Sequence, residues 1–107
     1  MKWIIYVFVR KDLSSSQQVV QTAHAVIEST KHSPYTWRHP TVIVFGIGKE
    51  VKLRKLSKEI EEKGIEIYRF HEPDRFNELT AFATECVNEE QKYIFERFML
   101  LWEKNQN

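Results

Sequence analysis

The sequence predicts a single α/β domain: a mixed four-stranded sheet with helices on both faces, three layers deep, in the order β-α-β-α-β-β-α. Three observations predict it. Trp3 to Val9 is an unbroken apolar run rich in β-branched and aromatic residues, which reads as a central strand covered on both faces. Further short apolar runs alternate with helix-length amphipathic stretches, the pattern of parallel strands joined by crossover helices. The link before the fourth strand is too short for a crossover, so that strand should run antiparallel.

The elements follow in order. Ser14-Ser15-Ser16 with Gln17 and Gln18 behind them supplies N-cap hydroxyls and a glutamine three residues on. The helix they start should run to about Thr30, with Val19, Val20, Ala23, Val26 and Ile27 forming its apolar side. A loop from Lys31 to Pro40 holds Pro34, Trp37 and Pro40. Thr41 to Phe45 is the second strand, and Gly46-Ile47-Gly48 turns into a second helix. Its buried stripe is Val51, Leu53, Leu56 and Ile60, and Gly64 ends it. Ile65 to Phe70 is the third strand, His71 to Glu78 a polar loop around Pro73, and Leu79 to Glu85 the fourth strand. Asn88 with Gln91 caps a last helix whose Ile94, Phe95, Phe98, Leu101 and Trp102 should cover the sheet.

Composition bounds what such a domain does. At 107 residues the chain suits one domain spanning 1–107, and 42% hydrophobic residues give it a core. The single cysteine, Cys86, rules out an internal disulfide and fits a reducing compartment. Cys86 has no Cys or His at ligand spacing, so no Cys-based zinc site is expected. The opening apolar run is too short to span a bilayer and meets Arg10, Lys11 and Asp12 without a cleavage signal. A cytoplasmic protein with no membrane partner is the expectation. A net charge of +1 makes no global case for nucleic acid, so phosphate contact must come from a local cluster.

Two motifs carry a resemblance. Val9-Arg10-Lys11-Asp12-Leu13 ends the first strand, and Gln21-Thr22-Ala23-His24-Ala25 lies on the first helix. Together with the order of elements across nearly the whole chain, and Trp37 in the following loop, they resemble the type 2 peptidyl-tRNA hydrolase family. That family hydrolyses the ester joining a peptide to the 3′ ribose of tRNA and needs no metal or other cofactor. The resemblance implies tRNA as partner, Gln21 and His24 as substrate-positioning members of a catalytic set, and Asp12 as a substrate-binding residue. The family's helix-borne Lys falls at Gln17 here. Its Asp-Ala-Gly-x-Thr loop is replaced by Glu72-Pro73-Asp74-Arg75-Phe76, like that of a variant branch. Glu72 then stands for the catalytic Asp as proton acceptor, with Asp74 beside it as a substrate contact, while Phe76 has no hydroxyl to replace the Thr.

Each candidate has a plainer alternative. Gln17, Gln21, His24 and Glu28 are spaced by four, three and four residues, so they line one polar helix face, either solvated or turned to substrate at the carboxyl edge of the sheet. Glu72 and Asp74 either order a water for ester attack or shape a turn with Pro73, and His71 beside them could tune their ionisation or bind phosphate. Lys49, Lys52, Arg54, Lys55 and Lys58 crowd the first half of the second helix, opposing its dipole. They are a solvated surface or a track for RNA, with Lys52 and Lys55 the candidate contacts. Gly46-Ile47-Gly48-Lys49 lacks phosphate-loop spacing and reads as a tight turn. Trp37, beside Arg38 and His39, is the loop aromatic best suited to base stacking. Two functions stay open: a peptidyl-tRNA hydrolase-like esterase, and a non-catalytic module binding tRNA, a nucleotide or a protein. A second copy of the chain is a further candidate partner.

Overall fold

The computed structural model describes residues 2–32, 39–98 and 101. Trp37, Arg38 and Trp102, named above as stacking or packing residues, lie outside them.

The chain forms a mixed α/β sheet. Strand β1 (Trp3–Arg10) leads into helix α1 (Ser15–His32), β2 (Thr41–Ile47), helix α2 (Glu50–Glu62) and β3 (Ile67–Glu72). A single 3₁₀ turn (Pro73–Arg75) then gives way to β4 (Glu78–Thr84), a two-residue β5 (Val87–Asn88) and a 3₁₀ segment (Glu89–Phe95). The strand order is β2-β1-β4-β3, with β5 beside β1 as well. β1 is therefore central: parallel to β2 on one side, antiparallel to β4 and β5 on the other. The antiparallel fourth strand and the flanked first strand match the sequence reading.

Strand alternation sorts β1 between two cores. Ile4, Tyr6 and Phe8 pack with Leu53, Leu56 and Ile60 of α2. Ile5, Val7 and Val9 pack with Ala25 of α1 and with Ala81, Ala83 and Cys86. The helices thus cover opposite faces. The α2 face is aromatic: Phe95 stacks on Tyr6 with ring centroids 3.8 Å apart, and Phe82 stacks on Phe8 at 4.7 Å.

The α1 face is largely the reverse of the expected one; of the expected apolar side, only Val26 packs against the sheet core. Val19, Val20, Ala23 and Ile27 are exposed, while Gln18, Gln21, Ala25 and Ser29 are buried. The cause is the small-residue surface below: Ala81, Ala83 and Cys86 let the helix sit close to the sheet, where backbone groups need partners. Gln18 Nε2 donates to the carbonyl of Leu13 at 2.7 Å, and Ser29 Oγ donates to the carbonyl of Thr84 at 2.7 Å.

Other expectations shift more modestly. Ser14 Oγ accepts from the Gln17 amide, so the predicted cap forms, and the helix extends to His32. Gly64, at φ +88°, terminates the second helix as predicted. Val51 is exposed rather than part of the buried stripe, because it sits in the first turn before α2 meets the sheet. The last helix is 3₁₀ rather than α through Phe95, although Asn88 does cap it by accepting from the Glu90 amide. β3 starts and ends two residues later than expected, so His71 and Glu72 belong to a strand and not to a loop. Gly46 is required by contact: a Cβ there would lie 2.6 Å from the Lys11 side chain.

β5 was missed because an irregularity separates it from β4. Phe8 pairs with Phe82 but Ile4 with Val87, so the β4–β5 side carries one extra residue. The Tyr6 amide between these pairs donates instead to Thr84 Oγ1 at 3.1 Å, and that hydroxyl donates to the carbonyl of Glu85 at 2.7 Å. Thr84→Val keeps the shape and strips both bonds. It should lower the unfolding free energy by about 1–3 kcal/mol, the usual penalty for an orphaned buried donor. Urea titration should show an earlier midpoint at unchanged slope.

Candidate functional site

The site is built where the N-terminal half of α1 crosses the end of β3. Alternation along β3 turns Tyr68, Phe70 and Glu72 towards α1. Phe70 stacks on His24 at 4.3 Å and Glu72 meets Gln21, both of the polar stripe, and Tyr68 stacks at 5.2 Å on His32, one turn beyond Glu28. The stripe is therefore neither solvated nor wholly turned to a ligand. Gln21 and His24 pack along the edge strand, Gln17 at the N-terminal end is exposed, and Glu28 at the other end is partly exposed and pairs with Lys31.

Gln21 is the joint. It is fully buried, with 0% of its surface exposed, and its amide is engaged on every side. Nε2 donates to Glu72 Oε1 at 2.7 Å and to Gln17 Oε1 at 3.1 Å, and Oε1 accepts from Thr80 Oγ1 at 2.7 Å. Thr80 is free to turn inward because β4 bulges there: Phe70 pairs with Ala81 and His71 with Leu79, leaving Thr80 between them.

Around Glu72 opens a cleft of about 450 Å³ lined by Gln17, Val20, His24, Glu72, Asp74 and Arg75. The Glu72 carboxyl is held below the ordinary glutamate range. The hydrogen bond from Gln21 is the main cause, then the Asp74 amide; desolvation opposes them, and His24 and Arg75 add lesser contributions of positive potential. The same carboxylate caps the turn that follows, accepting from the Asp74 amide at 3.3 Å. His24 lies with one ring face on Phe70, and among the described residues no hydrogen bond reaches its ring nitrogens.

Behind the cleft stands a charged cluster that the sequence motif did not reveal as such. Arg10, at the end of β1, is only 6% exposed. It grips Asp12 with two bonds of 2.9 Å and donates to Glu78 Oε1 at 2.8 Å and the Leu79 carbonyl at 3.3 Å. These bonds raise the guanidinium pKa, Asp12 foremost, and depress those of Asp12 and Glu78. Arg75 Nε also donates to Glu78, at 3.3 Å. Asp12 is thus committed to Arg10 and does not line the cleft.

The structure brings Gln17, Gln21, His24, Glu72 and Asp74 together. It does not bring Lys52 and Lys55 with them: both are exposed on α2, across the sheet from the cleft. His71 is exposed and also absent from the lining. Two lining residues were not read as site members from the sequence: Val20, which was placed on the apolar side of the first helix, and Arg75, which lies beside Asp74 in the loop that replaces the family motif. Among the described residues, no group of three or more His, Cys, Asp or Glu side chains is placed to hold a metal ion. No described helix is long and apolar enough to cross a membrane.

Comparison with protein-family models and with curated proteins finds no match. The reading of the cleft therefore rests on its own geometry. One further residue belongs to that geometry. Phe76, at the tip of the turn after Arg75, is 95% exposed and sits at φ +54°, followed by Asn77 at +60°. A bulky aromatic in the left-handed region carries backbone strain, and this one has no packing to offset it.

The depressed Glu72 pKa fixes a sign. Its folded pKa lies below the unfolded one, so the stability it contributes is complete above the ordinary glutamate pKa of about 4.3 and is lost as the pH falls below it. Replacing Gln21 with Leu removes the principal donor. Carboxyl chemical shifts followed through an NMR titration should show the Glu72 midpoint moving upward in Gln21→Leu relative to the parent protein. An unmoved midpoint would mean that the Gln21 bond is not what depresses it.

Proposed function

We propose that the cleft is the active site of an esterase resembling the type 2 peptidyl-tRNA hydrolases, on a three-layer α/β/α domain, cleaving the ester between an acyl group and the 3′ end of tRNA. The observation that carries this reading is the convergence of an imidazole, an ionised carboxylate and a fixed amide on one open cleft. Ester hydrolysis needs a positioned water, a proton acceptor, and positive or hydrogen-bonding groups for the developing oxyanion.

The roles follow from the electrostatics. A carboxylate whose pKa is lowered takes up protons poorly at neutral pH, so Glu72 serves better to orient the water and to stabilise a neighbouring cation. His24, with its ring nitrogens unengaged beside Glu72, is the better proton acceptor. This exchanges the roles that the motifs alone would give them. Gln17 accepts from Gln21 through Oε1, which leaves its amide hydrogens for the cleft. Arg75 supplies the positive charge that Gln17 lacks.

Pure protein incubated with a peptidyl-tRNA and with an aminoacyl-tRNA should release the ester slowly but measurably. Glu72→Gln and His24→Asn should each lower the rate by about 10²-fold or more, the usual scale of a lost acid–base group. Gln17→Lys should raise it by bringing charge to the oxyanion. Rates unchanged in both loss variants would discard the mechanism.

A second reading has its own support: the carboxylate is held so firmly in its charged form, and Phe76 is so exposed, that a non-catalytic module binding tRNA, a nucleotide or a protein fits the same cleft. Absence of hydrolysis on several tRNA esters, with binding retained, would favour it. RNA contact under either reading predicts affinity that falls steeply with salt. Lys52 and Lys55 lie across the sheet from the cleft, so Lys52→Glu combined with Lys55→Glu tests whether a bound tRNA also tracks over α2. Weaker binding in filter or fluorescence titrations, with an unchanged melting curve, is the expected sign of that contact, and unchanged affinity confines the RNA to the cleft side.

A further inference from the structure

A buried tyrosine ordinarily gives its hydroxyl a partner. Tyr6 does not. It is 2% exposed, on the aromatic face of the sheet, with Phe95 stacked on its ring. Among the described residues no hydrogen bond reaches its hydroxyl, and none of their fully enclosed polar atoms lacks a partner, so this hydroxyl touches open space. That space is a hollow of about 260 Å³ on the α2 face, across the sheet from the cleft, where β1 and β2 meet the C-terminal 3₁₀ segment. Besides Tyr6, its floor is apolar: Ile4, Ile43, Phe45, Phe95 and Phe98. Four exposed side chains stand at its mouth, Lys2 and Lys92 of one sign, Glu89 and Glu96 of the other.

Size, walls and charge define what fits. A water molecule's share of liquid volume is about 30 Å³, so the hollow has room for roughly nine non-hydrogen atoms. An ordered water needs about two to four polar partners, and the floor offers one hydroxyl. Its rings pack better against another ring. The charges at the mouth cancel, and an ion lowered onto the apolar floor would give up its hydration without a paired counter-charge. Burial, and after it Glu96, holds the Tyr6 phenol above its ordinary range, so the hydroxyl keeps its proton and stands as a donor. We propose that this hollow binds a small neutral aromatic molecule through a carbonyl or comparable acceptor, to which the Tyr6 hydroxyl donates. The site is separate from the cleft and does not depend on its chemistry.

The probes are acetophenone, which carries a carbonyl, and α-methylstyrene, which has the same outline with a methylene in its place. Titrated into the full chain, both should shift the methyl resonances of Ile4 and Ile43 and leave those of Val20, at the cleft, unmoved. Acetophenone should bind about five- to ten-fold more tightly, the scale of one hydrogen bond. Tyr6→Phe keeps the ring and removes the donor. It should bring acetophenone down to the affinity of α-methylstyrene, whose own affinity stays the same. Because the hydroxyl has no partner to lose, Tyr6→Phe should melt no earlier than the parent protein. Benzoate and benzylammonium should each bind more weakly than acetophenone. Unmoved Ile4 and Ile43 methyls, or equal affinity of the parent for the two neutral probes, overturn the proposal. So does tighter binding of either ion, undiminished acetophenone binding in Tyr6→Phe, or an earlier melt of that variant, which would show the hydroxyl already engaged.

Discussion

A primary amide buried without partners costs about 1–3 kcal/mol for each orphaned group, so a fully buried glutamine is stable only where the surrounding chain supplies both acceptors and a donor. Gln21 has them, and the arrangement of the cleft depends on their supply. The donor is Thr80, turned inward at the β4 bulge; the acceptors are Gln17, one helical turn away, and Glu72, at the end of β3. A strand irregularity is thereby converted into the orientation of a side chain, and that orientation fixes which carboxylate oxygen remains free. Glu72 then uses its second oxygen to hold the Asp74 amide, so the turn bearing Asp74, Arg75 and Phe76 inherits its position from the same amide. Loss of Gln21 would loosen the carboxylate, the turn and the helix together.

The same requirement explains why α1 is polar inside. Its sheet face is made of alanines and a cysteine, which bring helix and sheet backbones near each other but leave little volume for valine or isoleucine. Close approach to a sheet with two irregularities leaves carbonyls and hydroxyls in need of partners, and Gln18, Gln21 and Ser29 provide them. Valines at the same positions would find neither space nor a reason to be buried. Val19, Val20 and Ile27 are displaced to the outer face, while Val26 packs partly against the core.

What could be read from the sequence divides along this line. The central strand, the antiparallel fourth strand, the Ser14 cap and the Gly64 terminus follow from local pattern, because apolar runs, hydroxyl caps and left-handed glycines act within a few residues. The aromatic face of the sheet was legible for the same reason: Leu53, Leu56 and Ile60 keep helical spacing and bury as spaced. The inward face of α1 was not legible, since periodicity says which residues share a side and not which side meets the sheet. Only the alanines of β4, some sixty residues away in sequence, decide that. Among site residues, Gln21, His24 and Glu72 were found through motifs, and Lys52 and Lys55 were placed with them by charge alone. Charge carries no direction, and α2 lies on the other face. Arg75 was legible as a cation of the replaced loop but not as a lining residue, because a turn residue looks like surface until the turn is folded against the cleft.

The charge balance of the cleft constrains what chemistry it can host. Glu72 and Asp74 bring negative charge, Arg75 brings one positive group already shared with Glu78, and Arg10 behind them is consumed by Asp12 and Glu78. A phosphate entering here would meet carboxylates before it met an unpaired cation, so the tRNA backbone is better accommodated outside the cleft than within it. The group best suited to its centre is a neutral or cationic one; on the proposed esterase reading it is an acyl ester whose carbonyl would face Gln17 and Arg75, with the attacking water between His24 and Glu72. Because Glu72 is already ionised and hydrogen-bonded, it undergoes no change of state as the water is activated. An imidazolium formed on His24 under that proposal would have a fixed anion at its side. On the proposed esterase reading, a carboxylate held in its charged form beside an imidazole is the arrangement in which lowering the Glu72 pKa helps catalysis and does not hinder it.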